Sequence, residues 1–192
     1  MSAISTLLLG VLKTGDKVLS QANLYGGTTD LLKNIFGQFG VETVFVNLRN
    51  PEEVDSAFRN DPAIKMLYCE TPANPTLACV DIQALSDVAH KYGAWCAIDN
   101  TFATPYLQQP FAFGVDFIIH STTKFLNGHG NSIAGVILEP VQGLTGARDL
   151  PVELIQAARQ ACDIVQTLDH VRLPQWPGAI EDTGMQSCDL DA

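Results

Sequence analysis

The sequence predicts an α/β protein, with a mostly parallel β-sheet that carries helices on both of its faces. Five short apolar runs recur over the first 121 residues, and each resembles a strand that is buried on both faces. Helical stretches fit between most of these runs. Strand–helix alternation of this kind produces parallel strands that are joined by right-handed crossovers.

The predicted strands follow one another at regular intervals. They are DKVLS (16–20), VETVFV (41–46), IKMLYCE (64–70), AWCAID (94–99) and VDFIIHS (115–121). A further run, NSIAGVILE (131–139), can supply one more strand, for which an antiparallel direction is one option.

Helices are predicted at the start of the chain and between the strands. The start, MSAISTLLLGVL, is typical of an amphipathic or buried helix. The others are TTDLLKNIFGQFG (28–40), PEEVDSAFRN (51–60) and DIQALSDVAHKYG (81–93). Two of these end at a glycine, which is a common helix stop, and one begins with proline at its first helical position.

Composition excludes several classes of protein. The net charge of −10 argues against nucleic acid and anionic membranes as partners. No apolar run reaches the roughly 18 residues of a membrane span, and the first residues lack the basic segment and cleavage site of a signal peptide. The five cysteines form no C-x-x-C pair and no zinc spacing, so no metal site is predicted. We expect a cytoplasmic protein with reduced thiols.

The character of the chain changes after residue 138. Residues 139–192 carry nine acidic and three basic residues, with proline and glycine but little periodicity. Residues 139–170 have room for one helix. We expect a domain at 1–138 and, at 139–192, a poorly packed acidic tail.

Polar residues follow three of the predicted strands. Glu70 begins the stretch ETPANPT, Asp99 and Asn100 follow AWCAI, and the stretch HSTTK (120–124) follows VDFII. In an open parallel sheet, ligands bind outside the carboxyl ends of the strands. Taken alone, each residue is more often a helix cap, a turn or a solvated side chain. Their coincidence at successive strand ends indicates a binding site.

The set suits pyridoxal 5′-phosphate (PLP). Its aldehyde needs a lysine amine, for which Lys124 is the candidate. Its ring nitrogen stays protonated beside a carboxylate, here Asp99. Its phosphate needs hydroxyl groups and the amides at a helix start, which Ser121, Thr123 and the first helix offer. Its ring favours an aromatic neighbour, for which Tyr25 is available.

Longer motifs carry a resemblance to a known family. YGGT, ETPANPT, AIDNTFATPYLQQPFAFGVDFIIHSTTKFLNGH and AGVI resemble the Cys/Met-metabolism (trans-sulfuration) family of PLP-dependent enzymes. That family includes cystathionine γ-synthase, cystathionine γ-lyase, O-acylhomoserine sulfhydrylase and methionine γ-lyase. The resemblance covers about residues 1–138 and implies the large PLP-binding domain of fold-type I, aspartate-aminotransferase-like enzymes. It also implies amino-acid substrates and a homo-oligomer, a dimer or a tetramer.

The resemblance implies a role for seven residues. Lys124 matches the lysine that forms the Schiff base and shuttles protons, and Asp99 matches the partner of the ring nitrogen. Tyr25 matches the tyrosine that stacks on the cofactor and acts as acid or base at the leaving group. The other matches are Ser121 and Thr123 to the phosphate hydroxyls, Asn74 to the contact with the ring 3-oxygen, and Met1 to the phosphate loop.

The sequence also departs from the family pattern. Family chains are longer, and they begin upstream of the phosphate loop with a tyrosine and an arginine that reach a neighbouring subunit. Their C-terminal domain holds the arginine that binds the substrate carboxylate. Arg148, Arg159 and Arg172 do not lie in a matching motif. We therefore expect a fragment, inactive or nearly so by itself.

Several functions stay open at this stage. After loss of the α and β protons, expulsion of the γ substituent leads either to elimination or to replacement by a thiol. ETPANPT favours the methionine γ-lyase branch, whereas Gly27 in YGGT resembles the other branches. The alternative from another class is an incompetent fragment or pseudoenzyme that binds PLP weakly or pairs with a full-length relative. A Schiff-base aldolase on a barrel is disfavoured by the pairing of Asp99 with Lys124.

Overall fold

A six-stranded β-sheet forms the centre of the molecule. The computed structural model describes residues 1–129, 135–138, 141–142 and 148–149. The strands of the sheet are β1 (Lys17–Ser20), β2 (Glu42–Phe45), β3 (Ile64–Glu70), β4 (Trp95–Asp99), β5 (Phe117–Ser121) and β6 (Gly135–Leu138). Their order is β2-β1-β3-β4-β5-β6, and the first five run parallel. Strand β6 pairs antiparallel with β5, which confirms the antiparallel option for the described part of 131–139.

The three longer helices lie within the segments predicted to be helical, and the one predicted over 51–60 has those bounds. The α-helices are α1 (Ser2–Val11), α2 (Gly26–Asp30), α3 (Pro51–Asn60), α4 (Ile82–Lys91) and α5 (Thr104–Leu107). Asn50 caps α3 by accepting hydrogen bonds from the next turn, and Pro51 occupies its first position. Gly93 follows α4 with φ +68°, a left-handed conformation that glycine adopts without strain.

The helix predicted over 28–40 is irregular. It begins at Gly26 as α2, continues as a π-helical turn over Leu31–Ile35 and closes as a 3₁₀ helix over Phe36–Phe39. Gly40 ends it with φ +74°, so the predicted glycine stop is confirmed. The sequence pattern indicated one helix, and it does not distinguish between hydrogen bonds to the third, fourth and fifth residue.

Apolar cores lie on both faces of the sheet. Helix α1 and the helical segment 26–39 cover one face, where Leu8, Val18 and Met66 are fully buried. Helices α3 and α4 cover the other face, where Val54 of α3 packs with other buried residues. Burying one such side chain contributes about 1.5–3 kcal/mol. The prediction of a parallel sheet with helices on both faces is confirmed.

The expectation that every predicted strand is buried on both faces is wrong for β2. None of its four residues is buried, because β2 is the outermost strand of the sheet and, among the residues that the structure describes, pairs only with β1. A charged pair between Lys17 Nζ and Glu42 Oε2, 2.9 Å apart, joins the two strands at this edge.

Little of the predicted acidic tail is described. Strands β7 (Val141–Gln142) and β8 (Arg148–Asp149) pair antiparallel with each other, outside the main sheet. The helix expected between residues 139 and 170 lies outside the described residues. Within the described ranges, no helix has the length and apolar character needed to cross a bilayer.

The parallel direction of β1, β3, β4 and β5 brings their carboxyl ends to one edge of the sheet. Glu70 ends β3 directly beside Asp99, which ends β4. Asp99 in turn lies opposite Ile119 of β5, two residues before Ser121. The three strand ends that carry the candidate residues are therefore adjacent, as the sequence predicts.

Candidate active site

Asp99 is the acid at the carboxyl end of β4, and it is partly buried. It shares a sheet face with Tyr68 and Ala97, because side chains alternate along each strand and Tyr68 lies opposite Ala97. Burial raises the pKa of Asp99, and hydrogen bonds from Thr101 oppose that rise. Both of these bonds fall on Oδ1, which accepts the backbone N–H of Thr101 at 3.0 Å and its hydroxyl.

Thr101 also reaches the end of the next strand. Its Oγ1 accepts the backbone N–H of Ser121 at 2.8 Å, across the gap between β4 and β5. A threonine hydroxyl has a single hydrogen, which in this arrangement is donated to Asp99. The Thr101 side chain therefore connects the Asp99 carboxylate to the last residue of β5, directly before the turn that contains Lys124.

Glu70 joins the two loops that carry Tyr25 and Asn74. Its Oε2 accepts the backbone N–H of Tyr25 at 2.8 Å, and its Oε1 accepts the backbone N–H of Asn74 at 3.1 Å. The carboxylate is buried, and desolvation raises its pKa while the bond from Tyr25 lowers it. One side chain thus fixes the backbone of both loops.

Tyr25, Gly27 and Met1 form a cluster at the start of α2. A Cβ atom added to Gly27 would lie 2.8 Å from Cε1 of the Tyr25 ring and 3.4 Å from Sδ of Met1. The glycine therefore leaves space that lets the half-exposed ring of Tyr25 lie against this turn.

The turn after β5 presents Lys124 to solvent. Residues Thr122–Leu126 are helical apart from Lys124, whose φ of −96° and ψ of −140° interrupt the turn. The Lys124 side chain is exposed, whereas Ser121 and Thr123 are partly buried. Among the described residues, no contact joins the Lys124 amine to Asp99 or Tyr25.

His120 lies on the opposite face of the sheet. Side chains alternate along β5, so His120 shares the face of Ile118 and lies away from Ile119 and Ser121. It is buried, and desolvation lowers its pKa to about 4. The sequence stretch HSTTK therefore divides between two faces, and only its later residues belong to the site edge.

Three residues of the edge received no role from the sequence. Glu70 was identified as a strand-end residue, but its contacts depend on the loops that approach it. Thr101 lies two residues after Asp99, a spacing at which a side chain and a backbone amide often bond. Tyr68 is fully buried beside Asp99 and lowers the pKa of that acid. Within the described residues its hydroxyl makes no hydrogen bond of ordinary geometry.

The chemistry of this donor set fits PLP. The ring nitrogen of that cofactor requires a carboxylate, and Asp99 keeps Oδ2 outside the two hydrogen bonds from Thr101. An exposed lysine, two neighbouring hydroxyl residues and an accessible tyrosine ring complete the set. Gly27 has no side chain, so the Tyr25 ring can lie close to this loop.

A solved structure has the same architecture. Cystathionine gamma-lyase from Lactobacillus plantarum, complexed with L-serine, matches with a TM-score of 0.71 at 35% identity, over 75% of this chain and 37% of that one. The fold is that of the PLP-binding domain of fold-type I enzymes.

Sequence comparison resolves the class further. The chain belongs to the family of Cys/Met metabolism PLP-dependent enzymes, whose pattern matches residues 1–158. L-methionine gamma-lyase of Fusobacterium nucleatum subsp. nucleatum is 48% identical over 139 residues, which are 72% of this chain and 35% of that protein. Cystathionine gamma-lyase of Bacillus subtilis is 37% identical over 154 residues, 80% of this chain and 38% of that one.

The similarity to these relatives covers only part of their length. The chain spans well under half the length of both relatives. The family match also extends past residue 138, into the first twenty residues of the segment predicted to be an acidic tail. The domain boundary at 138 stays a prediction.

Proposed function

We propose that this chain is the cofactor-binding part of a PLP-dependent enzyme that acts on sulfur amino acids or on activated homoserine. The family and the names of its relatives support carbon–sulfur chemistry. The observation that carries the proposal is the Asp99 carboxylate, which is partly buried and held on one oxygen by neutral donors at a strand end. Such a group suits a cationic ring nitrogen.

When bound, PLP supplies an electron sink for a carbanion formed on the substrate. The role of Asp99 is to keep the ring nitrogen protonated. The role of Lys124 is to hold the cofactor aldehyde and then to carry the proton taken from the substrate α carbon. Its exposed position in an interrupted turn leaves the amine accessible for both tasks.

Other residues are proposed to hold the rest of the cofactor. The hydroxyls of Ser121 and Thr123 and the backbone N–H of Met1 bind phosphate, since α1 begins directly after Met1. The Tyr25 ring covers the cofactor and moves a proton at the leaving group. Asn74 contacts the ring 3-oxygen, with its backbone fixed by Glu70.

We also propose a reaction type within the family. Several relatives are named L-methionine gamma-lyase, which supports α,γ-elimination. A further relative, the probable cystathionine gamma-synthase of Herpetosiphon aurantiacus, is 39% identical over 134 residues and keeps γ-replacement open. Gly27 fits the present Tyr25 ring, whereas a cysteine there would place Cβ 2.8 Å from that ring and force it to move. Release of 2-oxo acid from methionine, cystathionine or O-acetylhomoserine by a chain extended to family length discriminates among the branches.

Borohydride reduction tests the lysine assignment. The PLP-loaded chain is reduced, digested and analysed by mass spectrometry, and the pyridoxyl group is expected on the peptide that contains Lys124. Lys91 provides an internal control, because it is exposed but paired with Asp55. Labelling at Lys91 or Lys13 in place of Lys124 would contradict the proposal.

A surface beside the site favours association with another chain. Tyr106 and Leu107 in α5 are 90% and 76% exposed, and the nearby rings of Phe102 and Phe125 lie 6.1 Å apart. Exposed apolar groups of this kind mark interfaces. The proposal includes a homo-oligomer in the cytoplasm. The second candidate function is pairing of an inactive chain with a full-length relative. Turnover by the 192-residue chain alone, at about 1 s⁻¹ or more, would exclude that candidate.

A further inference from the structure

Asp99 accepts its described hydrogen bonds from one residue, Thr101. The backbone N–H of Thr101 donates to Oδ1 at 3.0 Å, and the Thr101 hydroxyl donates to the same oxygen. The hydroxyl accepts the N–H of Ser121 at 2.8 Å, so the bonds run in one direction from the end of β5 to the acid. Hydrogen bonds in such a chain strengthen one another inside a protein.

We infer that Thr101 is a positioning residue, which holds Asp99 as an oriented carboxylate and fixes its place relative to the turn that contains Lys124. The inference rests on the proposed function for its link to catalysis. Its structural content is independent of that function. By occupying Oδ1 with two donors, Thr101 assigns Oδ2 to the ring nitrogen. By accepting from Ser121, it ties the ring end of the site to the phosphate end.

The other groups around Asp99 do not replace this role. Glu70, on the neighbouring strand, is an acid and adds negative charge. Tyr68 makes no hydrogen bond of ordinary geometry within the described residues. Thr101 is therefore the described residue that donates to Asp99 Oδ1 through both its hydroxyl and its backbone N–H.

Three variants distinguish the positioning of Asp99 by the Thr101 hydroxyl from a general stabilisation of the loop. Thr101→Val keeps the shape and removes the hydroxyl, Thr101→Ala removes it without adding a methyl group, and Thr101→Ser restores it. The matched control is Thr43→Val in β2, because Thr43 Oγ1 is buried with no hydrogen-bond partner among the described residues. A hydroxyl that makes no bond is expected to be replaced at no cost.

The decisive measurement is the pKa of Asp99 in the cofactor-free 192-residue chain, from carboxyl ¹³C chemical shifts, with Asp99→Asn used for assignment. Loss of the hydroxyl is expected to raise that pKa by about one unit in both Thr101→Val and Thr101→Ala, because a donor to the charged form is lost. Thr101→Ser and Thr43→Val are expected to keep the parental value. Amide spectra establish that each variant is folded.

A second readout is the PLP dissociation constant from the visible absorbance of the bound cofactor. Both hydroxyl-deleting variants are expected to bind about tenfold more weakly, the affinity equivalent of one pKa unit. An unchanged Asp99 pKa in folded Thr101→Val and Thr101→Ala would overturn the inference. Failure of the parent chain to bind PLP would instead contradict the proposed function, because the pKa measurement needs no cofactor.

Discussion

The acids at the carboxyl end of the sheet and the acid Asp55 on α3 are held by different kinds of donor. Asp99 and Glu70 accept hydrogen bonds from neutral backbone and hydroxyl groups, and burial raises the pKa of each. Asp55 accepts from Lys91 Nζ at 2.6 Å and from the Tyr92 hydroxyl at 2.9 Å. Those bonds lower its pKa to about 2.

The difference shows which acids are already neutralised. Asp55 has Lys91 and Arg59 as cationic partners. In the described part of the chain, neither Asp99 nor Glu70 pairs with a lysine or arginine side chain. A buried carboxylate without a cationic side chain is unfavourable by itself. It becomes useful when a cationic ligand group arrives, which is the role proposed for Asp99.

The largest expected effect comes from removing each acid in turn and measuring PLP affinity. Asp99→Ala is expected to weaken binding about 10- to 150-fold, which corresponds to the roughly 1.5–3 kcal/mol of a hydrogen bond to a charged group. Asp55→Ala is expected to leave the affinity unchanged, because Asp55 lies in the α3–α4 ion pair away from the sheet edge. Equal affinities of the two variants would remove the distinction between the regions.

A smaller effect is expected from replacing the bridging acid with its amide. Glu70→Gln keeps one oxygen acceptor but sets an NH₂ group against the backbone N–H of Tyr25 or Asn74. The free energy of unfolding is expected to fall by about 1–3 kcal/mol, the cost of an unsatisfied buried donor. Urea denaturation measures this change. Glu53→Gln is the control, because Glu53 accepts one exposed N–H through a single oxygen; a loss as large there would show that the bridge is not special.

The pH dependence of stability provides the finest comparison. Because the folded pKa of Asp99 is raised, its contribution to stability is present below its unfolded pKa and is lost as pH rises through the folded value. Asp99→Asn keeps the Oδ1 acceptor and is therefore expected to be more stable than the parent at neutral pH, with the gain vanishing in acid.

Asp55 is expected to behave in the opposite sense. Its folded pKa of about 2 lies below the ordinary value of 3.8, so its contribution is present above that ordinary value and is lost as pH falls through about 2. Asp55→Asn is expected to be less stable than the parent at neutral pH and to converge with it in acid. Urea midpoints over a pH series measure both variants. The same sign of change in both would contradict the assignment of the two environments.

The sequence predicted the main strands and helices of the fold, because apolar runs indicate buried segments directly. The sequence did not predict the register between the strands. Glu70 lies opposite Asp99 because β3 pairs with β4 in this register. The amino-acid sequence of either strand alone does not specify that register. The exposure of β2 likewise follows from its place at the sheet edge, and strand composition alone does not reveal that place.

The candidate site was predicted in part for the same reason. Strand-end position pointed to Asp99 and Lys124. In the structure Asp99 ends β4 and Lys124 lies three residues after β5, while their roles stay predictions. Thr101 was inside a quoted motif but received no role, because its bond to Ser121 crosses between two strands. The contacts of Glu70 with the Tyr25 and Asn74 loops are equally non-local.

The close contact of α1 with β6 bears on how the chain is made. A Cβ atom on Gly135 would lie 2.8 Å from Cβ of Ala3, although the two residues are far apart in sequence. During synthesis at about 5–20 residues per second, α1 leaves the ribosome roughly 7–25 s before its partner strand exists. Over that interval its apolar side chains Ile4, Leu7 and Leu8 have no β6 to pack beside, so α1 is the segment that we expect a chaperone to bind on the nascent chain.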